Sequence, residues 1–87
     1  MIIKVNRQQI ARDYLFVEMT CGKKTAFVSH NQSLGQINVT CDNAAHKAWK
    51  GFGKYFRSWE EAKENYRSAE ILAMIEHVEA IHRGVHS

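Results

Sequence analysis

The stretch that decides the fold covers residues 14–30 and reads YLFVEMTCGKKTAFVSH. Two runs rich in β-branched and aromatic residues flank the dipeptide Gly22-Lys23, and a glycine in the first position of a two-residue turn is typical of type II′ hairpins. This turn pairs Cys21 with Lys24 and places one apolar set on a single face: Leu15, Val17, Met19, Ala26 and Val28. Because a slip of one residue would scatter that set, the pattern favours this register.

The segments on either side of the hairpin add strands to it. Residues 36–41 (QINVTC) alternate between apolar and polar side chains, which predicts a strand that continues the hairpin as a meander. Residues 2–5 predict a further strand, whereas residues 6–13 fit either a long loop or an extension of the strand structure. We therefore expect an antiparallel sheet of three to five strands.

Helical patterns follow the sheet. Residues 43–50 predict a short helix that ends before a glycine. Ser58 and Glu61 form a capping box, and the apolar spacing after it predicts a long amphipathic helix over residues 59–83. A break near Ser68 is an open alternative, because a serine there can cap a second helix. All 87 residues are thus expected to form one α+β domain in which the long C-terminal helix packs on the sheet.

Composition narrows the class of protein. The chain is 45% hydrophobic, with no proline, and two cysteines that we expect to be free thiols. Its net charge of +3 is uneven, since residues 1–59 hold nine of the twelve Lys and Arg side chains and only three of the nine acids. The sequence shows neither a signal peptide nor an apolar stretch of membrane-spanning length, so we expect a cytoplasmic protein with no membrane partner.

Three aromatic residues on the hairpin are the first candidate site. If the apolar set faces the core, Tyr14, Phe16 and Phe27 point the opposite way. Contiguous exposed apolar surface usually marks an interaction site, so we predict that these rings bind a partner or a second copy of the chain. The alternative is that the N-terminal segment or the short helix covers them.

A second candidate is the segment HKAWKGFGKYFR at residues 46–57, which holds four Lys or Arg side chains, four aromatic rings and no acid. Proteins that bind single strands combine a basic groove with rings on which bases stack. The predicted contacts are Lys47, Lys50, Lys54, Tyr55 and Arg57, joined by Lys23 and Lys24 at the hairpin turn. The alternative is that Trp49, Phe52 and Phe56 fill the core and only Tyr55 stays accessible.

Catalytic and metal-binding patterns are weak. His77 and His82 are five residues apart, whereas two metal ligands on one helical face need a spacing of four. No nucleophile can be paired with a base and an orienting group. We therefore expect no enzymatic activity, no metal site and no cofactor.

These observations favour a small non-enzymatic binding protein that acts on a protein or nucleoprotein complex, as a monomer or homodimer. In its short length and lack of recognisable motifs alone, the chain resembles phage and mobile-element accessory proteins, including inhibitors of host defence such as anti-CRISPR proteins. Direct binding of nucleic acid through residues 46–57 is the alternative function.

Overall fold

The computed structural model describes residues 2–43 and 54–85. It contains a five-stranded antiparallel sheet in the order β1-β2-β3-β4-β5 and two helices. The elements are β1 (Ile3–Ile10), β2 (Tyr14–Cys21), β3 (Lys24–Asn31), β4 (Gln36–Asn43), β5 (Lys54–Phe56), α1 (Trp59–Glu64) and α2 (Ala69–Val85). Within the described residues, no helix is both long and apolar enough to span a membrane. The predicted α+β class is confirmed.

The central hairpin has the predicted register. Cys21 pairs with Lys24, and every further pair between β2 and β3 follows from that one. Gly22 has a φ of 65°, in the left-handed region that glycine adopts without strain. No other residue type in the described part of the chain has a positive φ, so Lys23 has a negative one, as a type II′ turn requires.

The core lies between one face of the sheet and the two helices. Helix α2 packs on β2 and β3, while α1 packs on β4 and β5. The side chains that are less than 2% exposed include the predicted apolar set of the hairpin, joined by Val39 from β4 and by Met74, Ile75 and Val78 from α2. Strand β1 lies at the sheet edge and is exposed along almost its whole length.

The C-terminal helix is two helices, so the single helix predicted over residues 59–83 is wrong in its middle, and the alternative of a break near Ser68 is confirmed. Helix α1 ends at Glu64, and α2 begins at Ala69. The Ser68 hydroxyl accepts a hydrogen bond from the Ile71 amide at 3.4 Å and donates one to Glu70 at 2.8 Å. Two capping serines, ten residues apart, therefore start two helices, because each satisfies backbone amides that a helix end leaves unpaired.

The strands also differ from their predicted lengths. Strand β4 continues to Asn43, beyond the predicted end at residue 41, so the predicted short helix over residues 43–50 begins on a strand residue. Residues 44–50 lie outside the described residues. Strand β1 extends to Ile10, which decides in favour of strand structure for most of residues 6–13. A bulge between Val5 and Arg7 absorbs one extra residue in its pairing with β2.

A buried carboxylate joins the two helices. Glu79 on α2 is only 7% exposed, and its two oxygens accept hydrogen bonds from Lys63 on α1 at 2.8 Å and from Arg83 at 2.6 Å. Burial by itself raises the pKa of Glu79, but the hydrogen bonds and charges of Lys63 and Arg83 outweigh it and hold the pKa below its ordinary value. The ion pair therefore fixes α1 against α2.

Removing a core side chain from the central hairpin should destabilise the whole domain. Met19 is fully buried, and Met19→Ala should lower the free energy of unfolding by about 2–5 kcal/mol, because it loses apolar contacts and leaves a cavity. Ile10→Ala on the exposed strand β1 is the control and should cost less than about 1 kcal/mol. Urea denaturation measures both values, and equal losses would contradict the described core.

Glu79 should make stability depend on pH in the acid range. Because its pKa is lower in the folded state than in the unfolded chain, its ionised form stabilises the fold above the ordinary carboxyl value of 4.5. That contribution is lost as the pH falls through the lowered pKa. Glu79→Gln should lower the melting temperature at pH 7, and the difference from the unsubstituted protein should shrink towards pH 3. A difference that stays constant between pH 7 and pH 3 would contradict this role.

Candidate functional site on the open face of the sheet

The face of the sheet opposite α1 and α2, here called the open face, carries the aromatic residues of the hairpin. The rings of Phe16 and Phe27 stack with their centroids 5.1 Å apart, and Tyr14 meets Phe16 edge-on at 6.2 Å. We call Tyr14, Phe16 and Phe27 the aromatic cluster. All three side chains are half-buried, since they shield one another but keep part of their surface in solvent. The predicted orientation of the hairpin is confirmed.

The N-terminal segment does not cover the aromatic cluster. Strand β1 pairs with β2 edge to edge, so it lies beside the rings in the plane of the sheet. The predicted alternative of a cover by this segment is therefore wrong. The other proposed cover, a short helix, falls on residues 44–50 outside the described residues.

Strand β1 adds an arginine to the cluster. The Arg7 guanidinium lies 5.8 Å from the centroid of the Phe16 ring, within the range of a cation–π contact. It also forms an ion pair of 3.5 Å with Glu18, the residue opposite it on β2. The side chain of Arg7 is 67% exposed, so its charge remains available to a partner.

Beside the aromatic cluster lies a concavity of about 290 Å³, here called the groove. Its position follows from the register, which aligns Phe16, Ser29, Asn38 and Tyr55 in one row across β2 to β5. Tyr14 and Phe27 line one side of the groove, while Tyr55, which is 65% exposed, lines the other. The lining is completed by Ser29, Asn31, Leu34, Gln36 and Asn38.

The lining of the groove is rich in hydrogen-bond donors. The Asn31 side-chain oxygen already accepts from the Leu34 amide at 3.2 Å, and the Asn38 oxygen accepts from the Thr40 hydroxyl at 3.0 Å. Each asparagine therefore keeps its NH₂ group for another acceptor. Among the described residues, the amide of Gln36 makes no side-chain hydrogen bond, so it too is available.

A second concavity of about 390 Å³ adjoins the groove and shares Leu34, Gln36 and Tyr55 with it. It is more polar, because Arg57 and Glu61 contribute to its lining. The two concavities together form a continuous depression around Tyr55. One end offers aromatic surface and amide donors, and the other end offers a cation and an anion.

The residues predicted to bind nucleic acid do not form one patch in the described structure. Lys24 turns towards the helices, where it donates to Ser68 at 2.6 Å and pairs with Glu70 at 3.6 Å. Lys23 is exposed at the hairpin turn, and Lys54, Tyr55 and Arg57 are exposed on or after β5. Of these, Tyr55 and Arg57 line the depression, whereas Lys54 approaches the Tyr66 ring at 6.0 Å. Lys47 and Lys50 lie outside the described residues.

A cluster of three rings, two of them buried and one half-buried, joins the two helices to the sheet. The Trp59 indole donates to Nδ1 of His82 at 3.2 Å, and the His82 ring lies 4.0 Å from that of His30. The sequence does not predict this contact between the two histidines, because it depends on packing across 52 residues of chain. In the described residues, no three His, Cys, Asp or Glu side chains are placed to hold a metal ion.

Comparisons with protein families, curated proteins and solved structures found no match. The site is therefore interpreted from its own geometry.

The aromatic cluster should contribute little to folding. Phe16→Thr keeps a residue suited to a strand but removes one stacked pair, so it should lower the free energy of unfolding by only about 1–2 kcal/mol. This is less than the loss expected for Met19→Ala, whose side chain is fully buried. Urea denaturation of both variants tests the difference. A Phe16→Thr protein that fails to fold would show that the cluster belongs to the core.

Proposed function

We propose that the chain is a small non-enzymatic binding protein that attaches to a protein or nucleoprotein complex through the open face of its sheet. The observation that carries this proposal is the aromatic cluster of Tyr14, Phe16 and Phe27, which lies on the face opposite the helices. Aromatic residues and arginine are enriched where proteins bind one another, and Arg7 adds such a residue beside Phe16.

The cluster is held in place before any partner arrives. Its residues belong to β2 and β3, the two strands on which α2 packs, and their alternate neighbours are fully buried. Rings fixed in this way lose little conformational entropy on binding, which favours affinity. This supports a recognition surface rather than a loosely packed part of the core.

Strand β1 offers a second element for recognition. It forms an edge of the sheet, and an exposed edge strand can accept a strand from a partner. Val5 and Ile10 lie on it with more than a third of their surface exposed, and their pairing with Met19 and Leu15 places them on the helix side of the sheet. A partner that covers the aromatic cluster can extend over this edge without a change of fold.

The proposed cellular setting rests only on the short length of the chain and its lack of recognisable motifs. The chain resembles accessory proteins of phages and mobile elements, among them inhibitors of host defence. We accordingly place its partner in the cytoplasm and propose an inhibitory role, in which the open face occupies a surface that the complex needs for its own activity.

Direct binding of nucleic acid through residues 46–57 is the second candidate. Its support in the described residues is the exposure of Tyr55 and Arg57 at the end of this segment. This candidate predicts an affinity that falls with salt, because phosphate contacts release counterions.

Partner capture should depend on the open face. Tagged protein carrying Phe27→Thr should recover its partner from host cells at least tenfold less well than the unsubstituted protein, because the stacked surface is lost. Leu72→Gln is the matched control, since Leu72 is also half-buried but lies on α2 behind the sheet. Its recovery should be unchanged. Equal recovery by Phe27→Thr and the unsubstituted protein would contradict the proposal.

A further inference from the structure

We infer that the depression around Tyr55 binds an unpaired nucleotide of a single-stranded nucleic acid. This inference rests on the proposed function, because it assigns a ligand class to one part of the open face. It shares Tyr55 and Arg57 with the second candidate, but its other contacts come from β2 to β4 and α1 in place of residues 46–53.

The groove matches a nucleobase in shape and surface. It offers aromatic rings on both sides, with Tyr14 and Phe27 opposite Tyr55. Strands β3 and β5 are two strand spacings apart, or about 10 Å, so a flat heterocycle can lie on either wall. Bases stack on such rings in proteins that bind single strands. A base inside a duplex cannot enter, because both of its faces are already stacked.

The hydrogen-bonding groups of the groove suit a ligand that carries acceptors. Each asparagine oxygen already accepts one hydrogen bond, from Leu34 or Thr40, so Asn31 and Asn38 present their NH₂ donors together with one remaining lone pair on each oxygen. Nucleobase edges carry carbonyl and ring-nitrogen acceptors that these donors can reach. A purely apolar ligand would leave the same amides buried without partners, which carries a cost in free energy.

The second concavity matches the rest of a nucleotide. Arg57 is exposed there and can form a bidentate contact with a phosphate. Glu61 lines the same concavity, and its carboxylate can accept hydrogen bonds from sugar hydroxyls. The order of base groove, Tyr55 and Arg57 therefore follows the order of base, sugar and phosphate along one nucleotide.

The aromatic cluster extends the site beyond one nucleotide. Phe16 lies next to Phe27 on the side of the groove towards β1, and its ring is accessible from the open face. Arg7 lies over the Phe16 ring, where its charge can reach the phosphate of a neighbouring nucleotide. This continuity favours a strand over a free mononucleotide as the occupant.

The test is fluorescence anisotropy with labelled 15-nucleotide single-stranded RNA and DNA, with a duplex of the same length and with labelled ATP as a mononucleotide. We expect at least one single strand to bind ten times more tightly than the duplex and than ATP. Tyr55→Ala should weaken that binding about tenfold, while Tyr55→Phe should retain it. Arg57→Gln should flatten the dependence of log affinity on log salt by about 0.7, as for one phosphate contact on a single strand.

The decisive variants exchange donors for acceptors. Asn38→Asp keeps the acceptor that Thr40 uses but replaces the NH₂ group by an oxygen, and it should reduce affinity at least tenfold. Gln8→Glu on β1 is the matched control, since it makes the same change of charge at an exposed residue that pairs with Val17 and so lies on the opposite face of the sheet. An equal loss in both variants would reduce the effect to net charge and overturn the inference.

The failure of this inference is distinguishable from a failure of the proposed function. If no single strand binds, but partner capture still needs Phe27 and survives nuclease treatment, the nucleotide site is overturned and the protein-binding face stands. If ATP binds as tightly as the single strands, the occupant is a free nucleotide and the inference is likewise overturned. If neither capture nor oligonucleotide binding depends on the open face, both proposals fail.

Discussion

The strict alternation of side chains along β2 and β3 is the constraint on which the rest of the structure depends. Apart from Lys24 at the turn, every second residue of β2 and β3 between Leu15 and His30 is buried under the helices, so its neighbours must point to the open face. A single turn residue, Gly22, sets this register by adopting a left-handed φ of 65°. The same geometry therefore produces the core and the aromatic cluster, and neither can shift without the other.

The sequence was sufficient for features whose determinants lie close together in the chain. The hairpin register, the buried Phe56 and the exposed Tyr55 each follow from a local pattern of turn and alternation. The gap between α1 and α2 was harder, because residues 65–68 fit a continuous amphipathic spacing. The alternative of a Ser68 cap was open from the sequence, and the hydrogen bonds of Ser68 with Ile71 and Glu70 show that this residue starts the second helix.

Features that depend on pairing between distant strands were not predicted. The groove brings together Tyr14 and Tyr55, which are 41 residues apart in sequence, through a row that exists only once all strands are aligned. Lys24 illustrates the same limit, since it was grouped with basic residues on the surface but is held by Glu70 at the start of α2. Short motifs reveal only neighbouring residues, whereas the residues of a site on a sheet are brought together by the pairing register of distant strands.

The two layers of the domain divide the work between stability and recognition. The helices carry most of the acids, and Glu79 uses its charge to fix α1 against α2. Most Lys and Arg side chains of the described residues lie on the strands, in the turns between them or just after β5, and the open face combines rings, amide donors and Arg7. Photo-crosslinking in host cells tests this division most directly. Benzoylphenylalanine replaces Phe27 in one variant and Leu72 in the other. The account predicts a specific cross-linked complex from position 27 and none from position 72. A complex formed from position 72 alone would contradict it.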